Sequence, residues 1–202
     1  GEPGTGKEVV AREIHERSLR RESPFLVCDC SGLGAEAITS PHRFMAANGG
    51  TVLLKYPETL SQKMQYRLSG ILQCGDNPPP QPFPLDMRVI AASRATSPSS
   101  QASGRMDTEL YYCLNVVRVD LRPLRERIDE LPTLVDHFLS RARTRYQAAA
   151  QGVSDDTMAA LKDYHWPGNM RELEHTLAAA AAVADSELIT PDDLPGRIRN
   201  DA

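Results

Sequence analysis

The feature that most constrains the fold is a glycine-rich loop at the start of the chain, with the spacing G-x-x-x-x-G-K. Glycines let the backbone turn its N–H groups towards an anion, and the lysine adds a positive charge where an amphipathic helix is predicted to begin. We interpret this stretch as a phosphate-binding loop whose ligand is ATP or ADP; the alternative is a glycine turn that caps a surface helix. The candidate contacts are Gly1, Glu2, Pro3, Gly4, Thr5, Gly6, Lys7 and Glu8.

Composition restricts the class of protein. The 202 residues are 41% hydrophobic and carry a net charge of −4, which fits one domain with a small second lobe and does not favour nucleic-acid binding by charge alone. No apolar run approaches the ~20 residues of a membrane span, and four cysteines fit a reducing compartment, so we expect a cytoplasmic location. Cys28-x-Cys30 lacks a second pair, and no metal site is expected there. Because the chain opens inside a motif, we expect it to be a fragment.

Apolar runs alternate with helical patterns over the first part of the chain. This alternation predicts an α/β fold with a parallel sheet flanked by helices, and ligands bind beyond the carboxyl ends of such strands. Two stretches, 76–84 and 95–104, are predicted to be loops because they are rich in proline and serine respectively. The predicted helices cover residues 7–19 and 58–73, and the predicted strands cover residues 25–28, 51–54, 88–92 and 116–119.

From Pro123 onward the patterns are helical only, which predicts a small all-helical lobe. Ser154 is predicted to cap one helix, and Asn169 with Glu172 to form a capping box that opens another. Thr190, followed by proline, is predicted to cap a last turn. We therefore expect an α/β subdomain at residues 1–122 and a helical lid at residues 123–202.

Five blocks of sequence, in order, resemble the central AAA+ domain of bacterial enhancer-binding proteins, the sigma-54-dependent transcription activators. The resemblance implies a P-loop AAA+ fold and a ring-forming ATPase that remodels sigma-54 RNA polymerase. The glutamate after the loop lysine, unusual elsewhere, is what this family uses. Arg171 matches the family's sensor arginine, although it would also suit the surface of a capped helix. The blocks are residues 1–8, 49–51, 110–116, 121–127 and 166–173.

The strand that follows Gly49-Gly50-Thr51 departs from the family at two catalytic positions. The family has an aspartate that organises Mg²⁺ and a glutamate that polarises the attacking water. Here these positions are Lys55 and Tyr56. Glu58, two residues later, is the only nearby substitute for the glutamate. Lys55 either takes the metal's place by donating to a phosphate or crowds the site, so we expect impaired Mg²⁺ binding.

Two further family elements are replaced. The sensor strand ends in Ser93-Arg94 instead of Thr-Asn. The two arginines that reach the neighbouring subunit's γ-phosphate are replaced by Asp107 and Cys113, and Arg105 would have to act as a shifted finger. Because the family's residues are replaced at these positions, we assign none of them a catalytic role.

The loop whose tip contacts sigma-54 in the family has no counterpart between Ser31 and Pro41. The hairpin before the sensor strand is also replaced by the proline stretch after Cys74. We therefore predict a nucleotide-binding regulatory domain that is defective in hydrolysis and in sigma-54 contact; the alternative is an active ATPase, and an unrelated P-loop kinase is disfavoured. The resemblance implies a homo-oligomer, either a dimer or a ring, and DNA binding through a flanking helix-turn-helix domain outside this chain.

Overall fold

The computed structural model describes residues 1–32, 44–72, 86–94, 106–146 and 148–199. The chain divides into two compact units. The first comprises Gly1 with Lys7–Asp120, and the second comprises Glu2–Gly6 with Leu121–Ala202. The predicted loops at 76–84 and 95–104, and most of the stretch from Ser31 to Pro41, lie outside the described residues.

The first unit contains a parallel sheet, which within the described residues has the strand order β1-β2-β3. Phe25 of β1 is paired with Thr51 of β2, and Thr51 is paired with Arg88 of β3. Three of the predicted strands and their parallel arrangement are thereby confirmed. The strands are β1 (Phe25–Asp29), β2 (Thr51–Lys55) and β3 (Arg88–Ala92).

Both faces of β2 are buried, as expected for a central parallel strand. On one face Val52 and Leu54 pack in a core with residues of α2 and α3, whereas on the other Leu53 packs with Ala11 of α1. The helices of this unit are α1 (Lys7–Glu16), α2 (Gln62–Ile71) and α3 (Thr108–Leu114). Since side chains alternate along a strand, Lys55 at the end of β2 shares the α1 face with Leu53.

Two predicted helix bounds and one predicted strand require correction. Helix α1 ends at Glu16 instead of residue 19. Helix α2 begins at Gln62, not at residue 58, because Pro57–Thr59 form a separate 3₁₀ turn and Ser61 is extended. The strand predicted at 116–119 is wrong: its valines are exposed, and no described strand pairs with it. An apolar, β-branched run forms a strand only where a partner supplies hydrogen bonds.

Gly50 allows the chain to enter β2 beside Pro24. A Cβ at Gly50 would lie under 3.0 Å from the backbone oxygen of Pro24, which accepts a hydrogen bond from Thr51 N at 2.9 Å. We expect Gly50→Ala to lower the free energy of unfolding by about 1–3 kcal/mol, because backbone has to move. Urea denaturation measures the effect. Gly32→Ala, which would have no atom of the described chain within 4 Å of the new Cβ, is the control and should change stability by less than about 1 kcal/mol.

The second unit is built around its own helical core. Trp166 is fully buried, and its indole N–H donates to the Leu161 carbonyl at 2.8 Å, so its one polar atom is satisfied. The predicted cap at Ser154 is confirmed, because its side chain accepts from Thr157 N. The helices are α4 (Leu131–Tyr146), α5 (Asp155–Asp163), α6 (Asn169–Val183) and α7 (Gly196–Arg199).

Three details of this unit bear on the sequence predictions. The lobe is not all-helical, since β4 (Gly152–Val153) pairs in parallel with β5 (Leu188–Ile189). The predicted cap at Thr190 is confirmed by a capping box around the 3₁₀ turn Pro191–Asp193. In contrast, the N-cap of α6 is Gly168, not Asn169, although Glu172 does accept from the cap N–H at 2.7 Å. Among the described helices, none combines the length and the apolar character that crossing a membrane requires.

Candidate nucleotide-binding site

The phosphate loop has a backbone that only glycine adopts readily. Gly4 and Gly6 have φ values of 79° and 88°, in the left-handed region. The buried Thr5 hydroxyl donates to the Glu2 carbonyl at 2.8 Å and holds the turn between them. Just after the loop, the Lys7 ammonium donates to the Gly1 carbonyl at 2.7 Å. The left-handed backbone at Gly4 and Gly6 therefore explains why glycine is needed at these two positions.

Within the second unit, the loop contacts the start of α6. A Cβ on Gly4 would lie under 3.0 Å from the Gly168 carbonyl oxygen, so this close approach requires glycine. The backbone N–H of Arg171 donates to the Gly4 carbonyl at 3.4 Å, while the Arg171 side chain is exposed. Arg171, the predicted sensor arginine, therefore lies next to the loop on the first turn of its helix.

Glu2 fastens the loop to two other residues of the same unit. Its carboxylate accepts two hydrogen bonds from Arg125, at 2.9 and 2.6 Å, and one from the Asn169 amide at 3.2 Å. The same amide donates to the Pro3 carbonyl at 3.0 Å, and its oxygen accepts from Leu124 N at 2.8 Å. The Arg125 and Asn169 hydrogen bonds lower the pKa of Glu2 to about 2. Asn169 is thus a buried link between the loop and the segment after residue 121, not a helix cap.

The depressed pKa predicts how this link responds to acid. Since the folded pKa lies below the ordinary value of 4.5, the ionised Glu2 contributes stability that is complete above about pH 4.5 and is lost as the pH falls towards 2. We expect ¹³C NMR to show Glu2 titrating near pH 2, and to show the titration move up towards 4.5 in Arg125→Ala. Arg141→Ala, which removes a pair with Glu174, is the control. A wild-type titration near 4.5 would contradict the link.

Lys55, which the sequence analysis aligns with the metal-organising aspartate of the family, lies between two carboxylates of the first unit. Its ammonium nitrogen is 3.3 Å from Glu8 Oε2 and 3.6 Å from Asp29 Oδ2. The sheet enforces this arrangement, because Asp29 and Lys55 are register partners at the carboxyl ends of β1 and β2. The second oxygen of each carboxylate also has a partner, since Glu8 Oε1 is 3.6 Å from Arg12 and Asp29 Oδ1 accepts from Ser31.

Magnesium, which the family implies, does not fit these residues. Mg²⁺ needs oxygen ligands at about 2.0–2.1 Å in octahedral geometry. Here all four oxygens of Glu8 and Asp29 contact cationic or N–H and O–H donors, and the ammonium of Lys55 repels a second cation. The Ser31 hydrogen bonds, and to a smaller extent Lys55, hold the pKa of Asp29 below its usual value. The Asp29 carboxylate therefore stays ionised, and the contacts of both carboxylates are made by the chain itself.

Tyr56 and Arg94, at two further replaced positions, contact each other. The guanidinium carbon of Arg94 lies 4.1 Å from the centroid of the Tyr56 ring, a cation–π contact. Tyr56 has φ 57° and ψ 48°, the left-handed region, at the point where β2 turns into Pro57–Thr59. Glu58 accepts from the backbone N–H of Arg94 at 3.0 Å through one oxygen, and its other oxygen, Oε2, is buried with no hydrogen-bond partner among the described residues.

Asp107 and Cys113, which the sequence analysis aligns with two arginines of the family, lie at opposite ends of α3. Asp107 is the N-cap of this helix and accepts from Glu109 N and Leu110 N, so a structural role accounts for it. Cys113 lies in the last turn of the same helix. Ser93 follows β3 directly, and its carbonyl is 3.5 Å from the Gly1 nitrogen. Arg105, considered as a shifted finger, lies outside the described residues.

Cys28 near the end of β1 and Cys30 just after it are buried and are not disulfide-bonded. Burial raises the pKa of the Cys30 thiol to about 12, so it is a poor nucleophile and a poor metal ligand. Across the part of the chain that the structure describes, no three His, Cys, Asp or Glu side chains are placed to share a metal ion.

The structure brings together residues that the sequence analysis did not connect. Asp29 was not singled out, although it ends its apolar run as Lys55 ends the next one, and equal positions on adjacent parallel strands are neighbours. The pairing of Glu2 with Arg125 was also missed. Its only sequence signal is opposite charge, at positions too distant along the chain for a local rule to connect them.

Comparisons with protein-family models and with known proteins agree with the fold described above. The family model of the sigma-54 interaction domain matches residues 1–124, and that of the AAA+ ATPase lid domain matches residues 125–202. The transcriptional regulatory protein ZraR from Klebsiella oxytoca is 35% identical over an alignment that covers 96% of this chain and 48% of ZraR.

Solved structures of NtrX from Brucella abortus are similar over nearly the whole chain. Its complex with ATP has a TM-score of 0.83 at 26% identity and covers 98% of this chain and 50% of NtrX. Its complex with ADP has a TM-score of 0.85 at 25% identity and covers 99% and 49%. The chain thus spans about half the length of these relatives. It belongs to the sigma-54 interaction domain family, and its fold is that of a P-loop AAA+ domain with its lid.

Proposed function

We propose that this chain is a nucleotide-binding AAA+ regulatory domain with little or no ATPase activity, within a DNA-binding transcription regulator. The observation that carries the proposal is the internal ion-pair network of Lys55 with Glu8 and Asp29, together with the left-handed glycines of the loop that precedes α1 in the sequence. The loop retains what binding requires, while the carboxylate that hydrolysis requires is replaced.

Nucleotide binding is supported by the loop and by its relatives. Gly4 and Gly6 hold the loop in a conformation that can direct N–H groups at phosphate oxygens, and Lys7 supplies a point charge at the start of α1. The structures of NtrX in complex with ATP and with ADP support the same ligand class here. Arg171, next to Gly4, is proposed to contact the phosphates from the same chain.

The loss of hydrolysis is supported by the new contacts of the replaced residues. Tyr56 cannot serve as a carboxylate base, and its ring is engaged by Arg94. Asp107 caps α3 where the family has an arginine. The group that orients the attacking water and the arginine that reaches the neighbouring subunit's γ-phosphate are therefore both replaced at these positions. Each of the two contributes orders of magnitude to the rate of phosphoryl transfer.

The whole protein's activity extends beyond this chain. We propose that it is a homo-oligomer, either a dimer or a ring, that it acts in the cytoplasm, and that it binds DNA through a flanking helix-turn-helix domain. Activation of sigma-54 RNA polymerase is not proposed, because the sequence between Ser31 and Pro41 lacks the family's contact loop.

Binding tests this proposal directly. We expect calorimetry to detect binding of ADP to the full-length protein, and Lys7→Ala to weaken it about 10- to 100-fold, as removal of a hydrogen bond to a charged group should. Lys63→Ala, an exposed lysine of α2, is the matched control and should bind as the wild type does. Equal affinity of the wild type and Lys7→Ala would show that the loop does not bind the nucleotide.

One observation favours a second candidate function, an active ATPase that remodels sigma-54 RNA polymerase. Glu58 Oε2 is buried without a hydrogen-bond partner among the described residues. Glu58 also lies only two residues after Tyr56, the position aligned with the family's glutamate. A carboxylate oxygen in that state retains the acceptor capacity that a general base needs. Glu58→Gln distinguishes the two functions, because it abolishes hydrolysis only if Glu58 is the base.

A further inference from the structure

We propose that this domain binds nucleotide without a divalent cation, and that the Lys55 ammonium supplies the positive charge that a metal would otherwise bring to the phosphates. This inference rests on the proposed nucleotide binding and names the ionic form of the ligand, an ADP or ATP free of Mg²⁺. It follows from the observation that Lys55, Glu8 and Asp29 do not fit the Mg²⁺ ion that the family implies.

Lys55 is held in place by the fold. It is the last residue of β2, only 21% of its side chain is exposed, and its register partner is Asp29. Glu8, the residue after the loop lysine, is its second partner. Since Glu8 lies on α1 and Asp29 on β1, these two pairs place the ammonium beside the first turn of α1. Lys55 thus presents a mostly buried cation beside the residue that follows the loop lysine.

The ammonium also has donor capacity left for a ligand. A lysine ammonium has three N–H donors, and within the described residues Glu8 and Asp29 are the two carboxylates within 4 Å. The third donor suits a phosphate oxygen. Ligand binding then requires no ion pair to break, and Lys55 acts together with Lys7, whose ammonium is next to Gly1.

The charges at the site favour this arrangement over a metal. Lys7 and Lys55 balance Glu8 and Asp29, so the four side chains carry no net charge and do not attract a divalent cation. An aspartate at position 55 would leave one ammonium against three carboxylates. That variant should regain a site for Mg²⁺, because carboxylate oxygens are the ligands that this ion prefers.

The experiment measures ADP affinity of the full-length protein by calorimetry in EDTA and in saturating Mg²⁺. We expect the wild type to bind in EDTA, with no gain in affinity when Mg²⁺ is added. Lys55→Asp should bind at least about tenfold more tightly with Mg²⁺ than with EDTA, a difference of about 1.4 kcal/mol. Lys55→Met, which removes the charge without adding another, should weaken binding in EDTA about tenfold or more. Lys63→Met is the control, and circular dichroism verifies folding.

The Mn²⁺ ion provides a second readout that does not depend on affinity for ADP. The electron paramagnetic resonance signal of free Mn²⁺ should fall when Lys55→Asp and ADP are added, and should be unchanged by the wild type and ADP. Wild-type binding that requires Mg²⁺, or that is equally tight in Lys55→Met in EDTA, would overturn the inference while the proposed function stands. No wild-type binding in either buffer would overturn both.

Discussion

Steady-state phosphate release from ATP by the full-length protein is expected to be at least about a thousandfold slower than 1 s⁻¹. The reason is the proposed replacement of two groups. Tyr56, which contacts Arg94, is proposed to stand where the family has a water-orienting carboxylate, and Asp107, a helix cap, where it has a trans arginine. A coupled phosphate assay at protein concentrations high enough to favour assembly measures the rate.

The variants in this assay separate true turnover from contamination. Lys7→Ala defines the background, and Glu58→Gln reports whether the buried carboxylate acts as a substitute base. Turnover near 1 s⁻¹ that is lost in Lys7→Ala would restore the enzyme interpretation. If Glu58→Gln also removed it, the unpartnered Oε2 would be the proton acceptor.

The full-length protein is also expected to form no open complexes at a sigma-54 promoter. A remodeller must transmit the state of the γ-phosphate to its target through an element whose contacts differ between states. Here Arg94 of the sensor position is engaged with Tyr56, and the family's contact loop has no counterpart in the sequence. In vitro transcription with ATP measures this, with an active member of the family as the positive control.

Restoring the catalytic carboxylates should not rescue transcription. The double variant Lys55→Asp with Tyr56→Glu replaces the metal aspartate and the base, but it adds no loop to contact sigma-54. A pull-down with an ATP transition-state mimic should likewise fail to retain sigma-54. Open complexes formed by the unmodified protein would mean that other contacts replace the missing loop.

Much of the fold could be predicted because local patterns decide it. The runs at Phe25, Thr51 and Arg88 are short and apolar, and each lies in the sheet. The cap at Ser154 was also predictable, since its hydrogen bond is made within three residues. The strand predicted at 116–119 failed because a strand depends on a partner that a local pattern does not reveal.

The candidate site shows the same limit. The sequence identified Lys55 and Tyr56 as replaced positions, since the motif before them is contiguous. The contacts of their side chains depend on the register of β1 and β2 and on the conformation of the turn after β2. Asp29 is a partner of Lys55 because β1 and β2 are aligned in register, and the Tyr56 ring, on a residue with left-handed backbone, contacts Arg94. The sequence predicts that Asn169 is a cap, yet its side chain is buried in a network with Glu2.

The central prediction is that this domain binds a nucleotide without hydrolysing it. The most direct measurement loads the full-length protein with γ-labelled ATP, removes the free nucleotide, and identifies the bound label over several hours. We predict that the label bound to the wild type is recovered as ATP, and that Lys7→Ala retains little label from the start. Recovery of the label as free phosphate, with ADP left on the wild-type protein, would contradict the claim.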